Sequence, residues 1–126
     1  MSARLCLLFA AISGFLVVAT GAFAAHMLKP ALSERLYDVL QTGVQYQMFH
    51  TLALLGVGIL TKEMPVRLLR LSGLLFVLGI CLFCGSLYLL ALTGVHWLGA
   101  VTPIGGMMFL AGWFCAGLAV FRFKTQ

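Results

Sequence analysis

Few side chains in this chain of 126 residues can do chemistry, and most of them gather in one block. Gln41-Thr-Gly-Val-Gln-Tyr-Gln-Met-Phe-His50 holds Gln41, Gln45, Gln47, Tyr46 and His50 within an otherwise apolar region. Tyr46, Gln47 and His50 fall at i, i+1 and i+4, one face of a helix. A carboxamide, a phenol and an imidazole on that face could hold a lipid headgroup, a quinone head or a metal, or could hydrogen-bond together as a structural network that fixes helix register. The other candidates for the same cluster are His26, Ser86, Thr102, Gly105 and Gly106. His26, His50 and His96 invite a zinc or haem reading, but no two share a helix at i, i+4 and no carboxylate stands where it could orient an imidazole. The sequence therefore assigns no metal ligand and names no cofactor. Cys81-Leu-Phe-Cys84 is a C-x-x-C inside an apolar run. Redox pairs stand at helix N-termini, where the thiolate is stabilised, so this pair reads as packing. The acids Glu34, Asp38 and Glu63 all lie between apolar runs, which argues against a proton-coupled pump. No phosphate loop and no nucleophile–base spacing is present.

These residues must be positioned by helices in lipid. The chain is 63% hydrophobic and only 9% charged. A soluble domain carries about 25% charged residues, so the surface here must face acyl chains. The length suits one domain over residues 1–126, and spans of about 20 residues each allow four crossings. The net charge of +5 does not point to nucleic acid, because the basic residues flank apolar runs instead of clustering. Cys6, Cys81, Cys84 and Cys115 all sit within apolar runs, as small packing residues do.

The expected fold is all-α: a four-helix transmembrane bundle with an amphipathic interfacial helix between the first and second spans. The first span is 5–25. Arg4 and Ala22-Phe-Ala24 imitate a cleavable signal peptide, but the run is longer than a signal's apolar region, so it reads as a retained helix. Residues 30–42 follow, with Pro30 at a helix start and Leu32, Leu36, Val39 and Leu40 opposite Glu34, Arg35, Asp38 and Gln41. Gly43 reads as a bend into the second span, 44–60. Pro65 breaks the next turn, and the third span is 68–92. The fourth is 98–121, with Thr102 as N-cap and Pro103 as first helical residue, or with Pro103 kinking a helix begun at Leu98. Ser13-Gly14 recurs as Ser72-Gly73, Thr42 as Thr102, and Met48-Phe49 as Met108-Phe109, a faint duplication into two hairpins.

Arg4, Lys62, Arg67, Arg70, Arg122 and Lys124 fall on one side of this threading, and only Lys29 and Arg35 on the other. The basic side is cytoplasmic by the positive-inside rule, so both termini are expected inside and the polar cluster in the outer leaflet.

Four blocks carry a family resemblance: Gly21-Ala-Phe-Ala-Ala-His26, Gln41-Thr-Gly-Val-Gln-Tyr-Gln-Met-Phe-His50, Gly85-Ser-Leu-Tyr88 and Thr102-Pro-Ile-Gly-Gly106. The chain resembles, nearly end to end, the YgdD-like family of small bacterial inner-membrane proteins, which has mitochondrial relatives and is a domain of unknown function. Ala24 departs from it, since the family often has glycine there. The resemblance implies a multi-pass protein of the cell inner membrane, and implies no reaction or substrate. The leading expectation is a non-enzymatic accessory or small-ligand or lipid-binding module using the outer-leaflet cluster. A redox or metal-dependent enzyme using His26 and His50 is the second reading, and an oligomeric small transporter the third. Expected partners are the lipid bilayer and either another membrane protein or a second copy of the chain. A fluorescent reporter fused after Gln126 should glow in the cytoplasm, and a phosphatase fused there should be inactive; an active phosphatase would reverse the threading.

Overall fold

The structure, a computed structural model, describes residues 1–123. Lys124, counted above among the basic residues, lies outside them. Helix α1 runs Ala3–Phe23 and continues through a five-residue π-helical turn, Ala24–Leu28. Helix α2 is Glu34–Glu63. Helix α3, Arg67–Gly79, passes through a second π turn, Ile80–Cys84, into α4, Gly85–Thr93. A short 3-10 helix, His96–Ala100, leads to α5, Thr102–Arg122. Among the described residues there is no strand.

Local chemistry sets these limits. Ser2 and Ser33 each cap a helix, accepting from the backbone N–H of Leu5 and of Leu36 at 3.3 Å. Glu34 in the first turn of α2 and Lys62 in its last both suit the helix dipole. Gly94 ends α4 in the left-handed region at φ 70°, which glycine adopts without strain.

Three expectations need correction. No separate interfacial helix forms over 30–42. Pro30 sits in a turn, with Ala31 and Leu32 N–H bonded to Leu28 O, and Ser33 starts the helix instead. Residues 34–42 are then the first turns of α2, which passes Gly43 without a break. Gly43 serves close approach: a Cβ there would stand 2.7 Å from Tyr88 Cε1. Thr102 is the first residue of α5, with Val101 before it as cap; its hydroxyl crosses to Ser86.

Three helical stretches are long and apolar enough to cross a membrane: Ala3–Leu28, Arg67–Thr93 and His96–Arg122. Helix α2 is longer than any of them at 30 residues but falls short in hydropathy, because Gln41, Gln45, Tyr46, Gln47 and His50 lie along it. The expected span at 44–60 thus does not rest on apolarity.

Helix α1 lies along α2, and α3 lies along α5; α2 also packs on α3 and α4. Helices α2 and α5 meet mainly through side chains. Cys6, Ala10, Leu54, Val57, Phe76, Cys84 and Phe109 form the main core, and Ala24, Leu40 and Ala91 a smaller one toward the start of α2. The periphery is as apolar as the core: Phe15 is 75% exposed and Phe121 87%. Such a surface is stable only in lipid. The amino terminus donates to Arg70 O at 3.1 Å, and Val66 and Leu68 share a crevice with Ala119 and Arg122. Arg4, Lys62, Arg67, Arg70 and Arg122 therefore gather at one end of the bundle.

The closest helix approach is at Gly105, where a Cβ would collide with the backbone of Phe83. Backbone cannot yield as a side chain can. Gly105→Ala should cost about 1–3 kcal/mol. Gly85→Ala, with nothing within 4 Å of the new Cβ, should be neutral or stabilising by up to about 1 kcal/mol. Thermal unfolding of both variants in detergent checks the contrast.

Candidate functional site

Helical periodicity splits the polar residues of α2 between two neighbours. Gln47 and Thr51, at i and i+4, turn toward α1. Tyr46 and His50, also at i and i+4, turn toward α5.

On the first side Thr51 Oγ1 and Ser13 Oγ share a hydrogen bond of 2.6 Å. Gln47 Nε2 donates to Ser13 O at 3.3 Å and Ser13 Oγ at 3.1 Å, and Tyr88 Oη donates to Gln47 Oε1 at 2.6 Å. One carboxamide thus joins α1, α2 and α4. Gln47 is 5% exposed and Thr51 7%, so water does not compete for these bonds.

On the second side His50, 4% exposed, has both ring nitrogens engaged. Trp113 Nε1 donates to His50 Nε2 at 3.2 Å. An indole N–H only donates, so Nε2 must carry a lone pair. Nδ1 lies 2.8 Å from the Tyr46 carbonyl, which only accepts, so Nδ1 must carry the proton. The ring stacks on Phe109 with centroids 3.5 Å apart and planes at 8°. The Tyr46 ring stacks on Phe83 at 4.4 Å. These rings fill the gap between α2 and α5.

A third pair joins α4 to α5. Ser86 Oγ donates to Phe83 O at 3.0 Å, which uses its only proton, so Thr102 Oγ1 donates to Ser86 Oγ at 2.7 Å. Ser72 Oγ donates to Gly112 O at 2.8 Å. Ser13 and Ser72, paired in the sequence duplication, thus each tie the two helices of their own hairpin.

Between α2 and α5 lies a groove of about 370 Å³, lined by Tyr46, His50, Phe83, Pro103, Gly106, Met107, Phe109, Leu110 and Trp113. A second opening, of about 520 Å³, shares Tyr46 and His50 and adds Gln45, Met48, Phe49 and Leu52. Of the expected cluster, Tyr46, His50 and Gly106 meet at this groove. Gln47 faces the other way, Ser86 and Thr102 pair above it, and Gly105 is closed against Phe83. His26 does not join them. It is exposed beyond Ala24, which packs on Leu40, ten residues along α2 from His50 and so about 15 Å away. His26 and His50 cannot share a metal or a substrate atom, and the Nε2 lone pair a metal would need already accepts from Trp113. Cys84 is buried and Cys81 exposed, so the two thiols diverge.

Sequence reasoning missed Ser13, Thr51 and Trp113. Each had a signal: a lone hydroxyl within an apolar run, and a tryptophan eleven residues into α5, about 16 Å from its start and too deep for a headgroup belt.

The family profile described as "Protein of unknown function (DUF423)" matches residues 20–106. The UPF0382 inner membrane protein YgdD of Escherichia coli strain K12 is 44% identical over 126 residues, covering 100% of this chain and 96% of the relative. The chain belongs to this family. A DUF423 relative from Staphylococcus haemolyticus, named a UPF0382 membrane protein, is 40% identical over 120 residues, 95% of this chain and 98% of its own. That from Staphylococcus epidermidis is 39% identical over 117 residues, 93% and 95% of the two chains. No solved structure matches the chain significantly. The DUF423 match takes in all four sequence blocks, and with them Tyr46, His50 and Gly106 of the groove, but not Ser13 or Trp113. Family membership makes this a membrane protein, in agreement with its apolar periphery.

Gln47→Leu strands the Tyr88 hydroxyl and cuts the link from α2 to Ser13 O, and should destabilise by about 1–3 kcal/mol. A double-mutant cycle with Tyr88→Phe, read by unfolding in mixed micelles, should give a coupling of about 0.6–1.7 kcal/mol, the range for membrane hydrogen bonds. Zero coupling would separate the two side chains.

Proposed function

We propose that the chain is one integral membrane domain that crosses the inner membrane four times, with both termini in the cytoplasm, and acts as a non-enzymatic ligand-binding module. Its site is the α2–α5 groove in the outer half of the bilayer. Helix α2 is the fourth crossing in this reading. Its hydropathy is low, but Gln47, Thr51 and His50 are paired inside the bundle and do not burden lipid. The excess of basic residues at the end that holds the amino terminus supports the orientation.

The observation that carries the ligand reading is Tyr46. It lines both openings and is 43% exposed, and its hydroxyl has no hydrogen-bond partner among the described residues. A phenol at this depth needs an acceptor, and lipid tails have none. The groove offers flat aromatic walls and this single donor. It fits a lipid-soluble molecule with a carbonyl oxygen, a chemistry shared by quinone heads and lipid esters. Nothing in the groove activates a nucleophile or moves a proton, since both nitrogens of His50 are held.

Native mass spectrometry after mild detergent extraction tests this. Wild-type protein should retain a stoichiometric small molecule. Tyr46→Phe, which keeps the ring, should lower its occupancy about fivefold or more, the worth of one hydrogen bond of about 1 kcal/mol. A clean apo mass for the wild type would sink the ligand reading and leave the polar residues as structural.

A further inference from the structure

The end of the bundle opposite the polar groove has its own chemistry. Arg4, Lys62, Arg67, Arg70 and Arg122 gather there with the amino terminus, and Glu63 is the one acid among them; Glu34 and Asp38 belong to the other end. The fold does not spread these charges evenly. The amino terminus is bonded to Arg70 O, which holds the start of α1 against α3. On the other flank of α3 a crevice of about 170 Å³ opens toward α5, lined by Val66, Leu68, Ala119, Arg122 and Phe123. Arg67 stands between Val66 and Leu68 in sequence, next to the crevice but not lining it, and both Arg67 and Arg122 are exposed.

This arrangement is amphipathic in the sense a lipid requires. Val66, Leu68, Ala119 and Phe123 are apolar walls continuous with the lipid-facing surface of α3 and α5. Arg122 stands in the same crevice, as the last residue of α5. A guanidinium binds a phosphate through two parallel N–H bonds, and it binds a membrane surface more strongly when that surface is anionic. A zwitterionic headgroup would bring its own cation into a region already rich in positive charge. We infer that the crevice between the start of α3 and the end of α5 is a binding site for an anionic phospholipid, with its phosphodiester on Arg67 and Arg122 and an acyl chain along Val66, Leu68 and Phe123. This site is independent of the groove at Tyr46, being at the other end of the bundle.

The test is native mass spectrometry of the full chain in detergent, titrated with phosphatidylglycerol and, separately, with phosphatidylcholine. Wild type should bind one phosphatidylglycerol well ahead of the rest and show no matching phosphatidylcholine adduct. Arg67→Gln with Arg122→Gln should weaken that first adduct about tenfold or more, taking about 1 kcal/mol for each basic residue at an anionic surface. Arg4→Gln with Lys62→Gln removes the same charge from the same end but leaves the crevice intact, and should weaken it far less. Equal losses in the two double variants would show a diffuse field in place of a site and overturn the proposal. So would equal binding of phosphatidylcholine, or displacement of the first adduct by millimolar inorganic phosphate, which would mark a site for the free anion. Far-ultraviolet circular dichroism on each variant confirms that the helices are retained, so a loss of lipid is read on folded protein.

Discussion

A polar side chain surrounded by hydrocarbon has no water to bond, so it must find its partner in the protein or in a bound molecule. That constraint falls on α2 above all. Its middle carries a carboxamide, a hydroxyl and an imidazole within two turns, and neighbours on three helices satisfy them: Gln47 and Thr51 by Ser13 of α1, Gln47 also by Tyr88 of α4, and His50 by Trp113 of α5. Rotating α2 by one residue, about 100°, would break all of these bonds together. The hydrophobic effect cannot set rotation here, because one apolar helix face is much like another when lipid is the solvent. The hydrogen bonds set it instead.

The same constraint explains why small residues line the contacts. Hydroxyl and carboxamide bonds between helices need short reach, and the backbone must come close. Gly43 admits the Tyr88 ring and Gly105 admits the backbone of Phe83, while Gly112 offers its carbonyl to Ser72. Between α2 and α5 aromatic rings span the gap. Rings pack less completely than interlocked helices. That is a physical reason for a groove at this seam, where Tyr46 is left with an unengaged hydroxyl.

Much of this was legible in the chain. Low charge and long apolar runs gave an all-helical membrane protein, and the Gln41–His50 block gave the polar centre. The residues at i and i+4 on α2 are readable as a face, but the sequence does not say that Gln47 bonds to α1 while His50, only about 60° away round the helix, bonds to α5. Pro30 misled, since a proline that suits a helix start also suits a turn, and Ser33 was the better cap. Gly43 misled too, because glycine serves bends and close approach alike. Ser13 and Trp113 were overlooked because each is a single polar atom in an apolar run, visible only once its partner is placed beside it. His26 was grouped with His50 on shared side of the membrane alone, and depth along α2 separates them.

The central claim is that His50 is a fully engaged, neutral imidazole that locks α2 to α5. Nitrogen-15 magnetic resonance of the labelled protein in lipid nanodiscs at neutral pH reads this directly. The ring should show one tautomer, with Nδ1 protonated and Nε2 bare, and a hydrogen-bond correlation from the Trp113 indole to Nε2. An Nε2-protonated ring, an imidazolium, or an averaged signal with no link to Trp113 would contradict it and remove the bond on which the α2–α5 seam depends.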